Sequence, residues 1–295
     1  MARASDSVET VLGKKDANQL GRTLTHEHLS LNFATFYVQP PGHLKRFLDG
    51  KIELRNFGML KQYPYSSPYN LIYNDQCTED AILEDVRLYK EFGGGTIVEN
   101  SNYGLQRNIP FMRKVSQVTG INVIAGTGYY VSATQTKEDL LKEDMYDVML
   151  KEMTIGCEEY PDVKTGFIGE VGSTWPITRT IPSPEDLLQF ADDAKCYCQF
   201  DLFGSECSFY QLNPSVDMIS DAQRIDRVKY FRNDQKLDRV LLSHDIHTKH
   251  RLMEFGGHGF SHILNNVVPK MTLKGFTSEE IDTLTIHNPR TWLTS

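Results

Sequence analysis

Two histidines stand two apart in Thr25-His26-Glu27-His28. In an extended strand, residues i and i+2 share a face. The spacing therefore brings both imidazoles to one point and turns Glu27 away, which suits a metal ion. It is not the helical H-E-x-x-H pattern, whose ligands are four apart. Taken alone, the pair also fits two packed histidines, because an ion needs three or more ligands. Two carboxylates extend the set. Glu170 follows the apolar run Gly166-Phe167-Ile168 and lies between Gly169 and Gly172 (Val171 intervening), where a buried carboxylate needs a partner. It also fits a helix cap or a salt-bridged rim residue. Asp245 closes Val240-Leu241-Leu242-Ser243-His244. It also fits an N-cap for the next segment of chain. All four residues sit at the ends of strand-like runs, and nitrogen and oxygen ligands drawn from separate strands suit a borderline divalent ion such as zinc.

The runs that carry these residues alternate with helical stretches. Thr78 to Tyr89 places Ile82, Val86 and Tyr89 on one helical face, with Thr78 as the expected cap and Gly93-Gly94-Gly95 as the stop. A β-branched run ending at Glu99 comes next. Ile121 to Ala125 reads as the following strand, and a capping-box pattern opens at Thr136 with Asp139 in place of Glu. Ser183-Pro184-Glu185-Asp186 opens another helix, and Thr277-Ser278-Glu279-Glu280 the last. Tyr197 to Phe203 reads as a strand. Together with Arg22–His28, 96–99, 121–125, 166–171 and 240–245, this gives a count of six. Strands alternating with helices imply a parallel sheet with crossover helices. A closed eightfold barrel needs two more. The stretch from Leu29 to about Thr78 is expected to be an elaborated loop after the first strand, and Lys14-Lys15 a solvated turn.

The whole chain has 295 residues, which suits a single large α/β domain over 1–295. It carries 31 basic and 39 acidic residues, a formal charge of −8. That balance argues against a nucleic-acid or anionic-membrane partner. No apolar stretch is long enough for a membrane span, and the opening residues contain no apolar leader core. Five scattered cysteines, Cys77, Cys157, Cys196, Cys198 and Cys207, do not form a disulfide framework. The expectation is reduced thiols and a cytoplasmic protein.

The segments Gly21 to Leu29, Gly169 to Gly172 and Ser243 to Lys249 resemble the phosphotriesterase-related proteins of the amidohydrolase superfamily. Gly256-Gly257-His258-Gly259-Phe260-Ser261-His262-Ile263 and Asn288-Pro289-Arg290-Thr291-Trp292-Leu293 agree with it. The resemblance implies a (β/α)8 TIM barrel of the metallo-dependent hydrolase type. It implies two divalent metals, usually zinc, with His26, His28 and Asp245 as ligands of the more buried ion and Glu170 as the bridging carboxylate. A hydroxide held between the ions would be the nucleophile, with Asp245 orienting it and moving its proton. The implied substrate is a small N-acyl amine, such as an N-acylated amino acid or N-acetyltaurine, ahead of a lactone or a phosphotriester. Tyr129, Tyr130 and His258 are candidate substrate contacts. Homo-oligomerisation is compatible with the resemblance.

One part of the family pattern is missing. Two further histidines should come from the fifth and sixth strands, yet none lies between His43 and His244. Trp175 to Thr178 matches the segment after the family's fourth strand, and Arg179 to Ile181 the segment after its sixth. The expected junction at 178–179 skips two strand-helix units, roughly 60 residues at barrel proportions. The barrel would then be incomplete, with about six of eight units. The alternative reading is a catalytically inactive splice form or pseudoenzyme with a binding or regulatory role.

Overall fold

The computed structural model describes residues 6–135, 145–171, 181, 183–207, 210–215 and 218–295. The expected cap at 136–139, Gly172 and the 178–179 junction lie outside the described residues.

Among the described residues, the frame consists of six parallel strands: β1 (Arg22–Glu27), β2 (Gly94–Glu99), β3 (Asn122–Thr127), β4 (Phe167–Ile168), β5 (Cys198–Phe200) and β6 (Val240–Leu242). Strands β1 to β4 pair in sequence order, and β5 pairs with β6. The two sheets meet where β6 lies against β1. There the His26 N–H donates to the Ser243 hydroxyl at 2.9 Å, and the Asp245 N–H donates to the His26 carbonyl at 3.1 Å. The Thr25 hydroxyl reaches the Leu242 carbonyl at 3.2 Å. The strands therefore take the order β5, β6, β1, β2, β3, β4. Among the described residues, β4 and β5 each have a strand neighbour on one side only.

Local chemistry explains the units. Helix α1 (Gln76–Glu91) buries Ile82, Val86 and Tyr89, as the sequence pattern predicts. Its cap is Asp75 rather than Thr78: the Asp75 carboxylate accepts from the Thr78 N–H at 3.1 Å, and a carboxylate is at least as good a cap as a hydroxyl. The glycine triplet does more than stop the helix. A Cβ at Gly94 would lie 2.4 Å from the Tyr89 ring, and one at Gly95 would lie 2.2 Å from the Leu20 carbonyl oxygen. Only bare backbone lets β2 pass so close. Ser183 caps the helix Pro184–Ala194, and Thr277 closes a capping box with Glu280, as expected.

Three expectations need correction. Lys14 and Lys15 lie in a strand: Ser7–Thr10 and Gly13–Asp16 form an antiparallel hairpin, with Lys14 opposite Glu9. The stretch after β1 is not plain loop. It contains the helix Leu54–Gln62 and an antiparallel pair, Leu31–Asn32 with Ile72–Tyr73. Strands β5 and β6 are shorter than their apolar runs. Leu202 at φ +62° and Asp245 at φ +54° take left-handed backbone that ends extended pairing.

No helix among the described residues is long and apolar enough to cross a membrane. None of the five cysteines is joined in a disulfide.

Candidate metal centre

The ends of β1, the β4 segment and β6 bring four side chains to one point. His26 Nε2 lies 3.6 Å from Glu170 Oε1 and 3.6 Å from Asp245 Oδ1. His28 Nε2 lies 3.2 Å from Asp245 Oδ1 and 3.8 Å from Glu170 Oε2. Ligands about 2.0–2.2 Å from a tetrahedral ion stand about 3.3–3.6 Å from one another, so this spacing suits one. His26 Nε2 is buried and has no hydrogen-bond partner, an orphaned lone pair or proton aimed at the carboxylates. These residues fit a divalent cation.

The electrostatics agree. Burial disfavours a charged His26, but Glu170, Asp245 and Asp201 outweigh it and raise the imidazole to about 10. Burial likewise opposes charge on His28, and Asp245 and Glu170 again raise it. Burial pushes the Asp245 carboxyl up, but His247, His26 and His28 hold it well below its ordinary range. A pocket that charges its own histidines has a negative potential that a cation would meet.

Neighbouring groups fix the ligands. His28 Nδ1 lies 3.0 Å from the Ser101 hydroxyl, which leaves Nε2 for the cluster. His26 Nδ1 faces Asp201 at 3.9 Å, at the end of β5. His247 Nδ1 contacts the Asp245 carbonyl at 2.7 Å and Oδ1 at 3.1 Å, while its Nε2 meets the Tyr65 hydroxyl at 3.1 Å. The left-handed backbone of Asp245 is a strained conformation of the kind that persists where surrounding contacts over-determine it.

Glu27 faces away from the cluster, as its alternation predicts. Its buried carboxylate accepts from the Ser243 hydroxyl at 2.7 Å, the His244 N–H at 2.8 Å, the Ile246 N–H at 3.0 Å and His244 Nδ1 at 2.7 Å. His244 Nε2 accepts from the Ile263 N–H at 3.0 Å, so its proton sits on Nδ1 and the ring is neutral. Burial also depresses the charge of His244. Burial alone would raise the Glu27 carboxyl, and these donors hold it below its ordinary value.

The remaining candidates are dispersed. Tyr130 is buried, and burial and the Glu170 and Asp245 charges shift its hydroxyl up. Tyr129 instead stacks on Tyr103 with ring centres 5.0 Å apart. His258 stacks on His244 at 5.4 Å and lines a cavity beside His247. Sequence reasoning missed Asp201, Ser101 and Tyr65. Asp201 ends its apolar strand just as Asp245 does, and Ser101 comes just after the end of β2, so both carried a signal. Tyr65 comes from the long connection after β1 and carried none. His244 turns to Glu27 and away from the cluster, as strict alternation along a strand requires. His247 does not follow that alternation, because the strand has ended by then, and it meets Asp245 instead.

Among the described residues, His26, His28 and Glu170 form the metal-competent group of three, and no second pair of histidines joins them.

The model of the phosphotriesterase family matches this chain in two blocks, residues 6–183 and 177–293. A phosphotriesterase-related protein of Aedes aegypti is 42% identical, with 97% of this chain and 98% of that protein covered. Another from Drosophila mojavensis is 41% identical at the same coverage. The first alignment runs over 350 positions against a chain of 295, so at least 55 positions of that relative have no counterpart here. Among solved structures, a resiniferatoxin-binding protein from Rhodobacter sphaeroides superposes with a TM-score of 0.90 at 23% identity, covering 98% of this chain and 95% of that one. The phosphotriesterase homology protein of Escherichia coli, with phosphate in its active site, gives 0.70 at 21%, covering 93% and 99%. The fold is thus the α/β barrel type of these proteins.

Proposed function

Because the chain belongs to the phosphotriesterase family, and is by that membership an enzyme of the phosphotriesterase-related hydrolase type, we propose that it cleaves a small N-acyl amine. An N-acylated amino acid or N-acetyltaurine is preferred over a lactone or a phosphotriester. The observation that carries the hydrolytic reading is the convergence of His26, His28, Glu170 and Asp245, with one His26 nitrogen left orphaned. These four residues would hold a divalent ion, zinc by the character of the donors. Such an ion polarises a carbonyl or phosphoryl oxygen and acidifies a bound water. Around it the chain's own groups have separate roles. Asp245, kept ionised, accepts a proton at Oδ1, and His247 steadies that carboxylate. Ser101 orients His28 and Asp201 faces His26. Tyr130 would contact substrate; Tyr129, stacked on Tyr103, and His258, by the adjoining cavity, would shape the surroundings. Five thiols outside any disulfide support a reducing, cytoplasmic setting.

A second reading rests on a specific observation. At least 55 positions of a close relative have no counterpart, and the two family blocks overlap at 177–183. This supports a chain over 1–295 that joins at 178–179 and lacks the fifth and sixth units, and with them the two histidines of a second ion. Such a chain would be a splice form or pseudoenzyme that binds or regulates, its partners a full-length relative or a second copy of itself.

The test is hydrolysis of a panel: N-acetyltaurine, N-acetyl amino acids, a lactone and a phosphotriester, with purified chain and its Asp245→Asn variant. Turnover of an amide that the variant loses supports the first reading. No turnover of any compound by folded, metal-loaded chain sinks it and leaves the second.

A further inference from the structure

Glu170 comes just after the end of β4, which has a strand on one side only among the described residues. Two bonds from the interior hold its segment. The Gly169 N–H donates to the Thr127 carbonyl at 2.7 Å, which extends the β3–β4 pairing by one residue. Asn102 Nδ2 donates to the Glu170 carbonyl at 2.5 Å. This second bond comes from the segment after β2, past the end of β3, and meets the peptide that carries the ligand itself.

The backbone around Asn102 is fixed on both sides. Glu99 Oε1 accepts from the Leu29 N–H and its Oε2 from the Ser101 N–H, each at 3.1 Å. The Asn100 N–H donates to the Glu27 carbonyl at 2.8 Å, and the Tyr103 N–H donates to the Gly128 carbonyl at 3.1 Å. The segment is thus bonded to β1 and to the end of β3. Its two consecutive side chains reach different ligands: Ser101 meets His28 Nδ1, and Asn102 the Glu170 peptide.

Asn102 is fully buried, yet its Oδ1 has no hydrogen-bond partner among the described residues. A buried amide oxygen left bare costs free energy that an apolar side chain of the same size would not. Packing therefore does not account for an asparagine here, whereas a donor aimed at the Glu170 carbonyl does. Gly128 makes room for the contact. A Cβ there would lie 3.0 Å from Asn102 Nδ2 and 3.3 Å from the Glu170 carbonyl oxygen, and its φ of +141° suits only glycine.

We infer that Asn102 is the positioning residue of Glu170: its amide ties the peptide of the open-edge ligand to the rigid segment that also orients His28. The inference rests on the reading of the four residues as a metal centre, and names the residue on which the fourth donor depends.

Cobalt(II) titration of the full chain reads the donor set without turnover, because the visible absorption of the bound ion follows its ligands and geometry. Asn102→Ala should bind cobalt about tenfold to a hundredfold more weakly than the parent, with the spectrum of Glu170→Ala. Asn102→Leu fills the same volume without the N–H and should do the same. On the Glu170→Ala background, either change should add less than about twofold, because Asn102 acts through that carboxylate. Parent-like affinity and spectrum in a folded variant overturn the inference. So does an undiminished loss on the Glu170→Ala background, which would mean that Asn102 only supports the fold. A parent chain that takes up no cobalt sinks the metal-centre reading, and the inference with it. If cobalt behaves as expected while the hydrolysis panel stays silent, the inference stands and the hydrolytic reading fails.

Discussion

The seam where β6 meets β1 and the rim formed by β4 and β5 both border the same four candidate ligands, yet they are built differently. At the seam, almost every polar group is paired and buried. Glu27 and His244 are fully buried and locked together, Ser243 bridges the strands, and His28 and Asp245 each have a supporting partner. At the rim, Ile168 is 54% and Val171 52% exposed, and β4 and β5 each lack a strand partner on one side among the described residues. Glu170 comes from that rim. Its carboxylate is met by His26 and His28, while its main-chain carbonyl accepts from Asn102. The difference shows that three ligands are preorganised by a dry hydrogen-bonded frame, and the fourth depends on an open edge.

The contrast can be broken most decisively at the ligands. His28→Ala should abolish stoichiometric metal binding, read by elemental analysis, because it removes the imidazole donor that Ser101 orients and leaves a single histidine in the set. Retained metal would mean that the seam is not the binding half. Core stability comes next. Leu242→Ala, in the seam, should cost about 2–5 kcal/mol in a denaturant titration. Ile168→Ala, at the rim, should cost less than about 1 kcal/mol because so little of its surface is buried. Similar losses at both would erase the contrast. Ser101→Ala should weaken metal affinity by about tenfold to a hundredfold without moving the stability midpoint much. An unchanged affinity would remove Ser101 as the group that orients His28.

A further prediction concerns pH. Asp85 lies beneath the seam-side loops, where its carboxylate accepts from the Met253 N–H at 3.1 Å. Burial raises it to about 7, with that N–H pulling down and Glu254 pushing up. The folded state therefore holds a proton that the unfolded chain gives up near 4. Stability contributed by this group is present in acid, falls as pH rises from about 4 to 7, and is lost above 7. Asp85→Asn should flatten that slope, by about 4 kcal/mol at most, and gain on the parent above pH 7. Stability measured at pH 5 and pH 8 reads it; an unchanged slope would contradict the assignment.

Much of this arrangement is legible in the sequence because strand alternation is strict. The i, i+2 spacing places His26 and His28 together and Glu27 behind them. Apolar runs ending in Glu170 and Asp245 mark the other two ligands. Asp201 carries the same signal, but a single carboxylate without a nearby histidine looks like a cap. What alternation cannot carry is anything past the last paired residue. The left-handed turn at Asp245 swings His247 back onto the carboxylate, and the long connection after β1 delivers Tyr65 from far away. Likewise Asp75 outcompetes Thr78 as a cap by geometry that composition does not reveal. The cavity beside His247 emerges only when three separate segments are brought together in space.

The central claim is that the four residues at the seam and rim hold one divalent ion and that, among the described residues, no second pair of histidines joins them to hold another. Elemental metal content per chain on size-fractionated, soluble protein tests it directly. The account predicts one ion per chain, lost in His28→Ala. Two ions per chain would contradict it by requiring replacement ligands, and none would contradict it by removing the centre altogether.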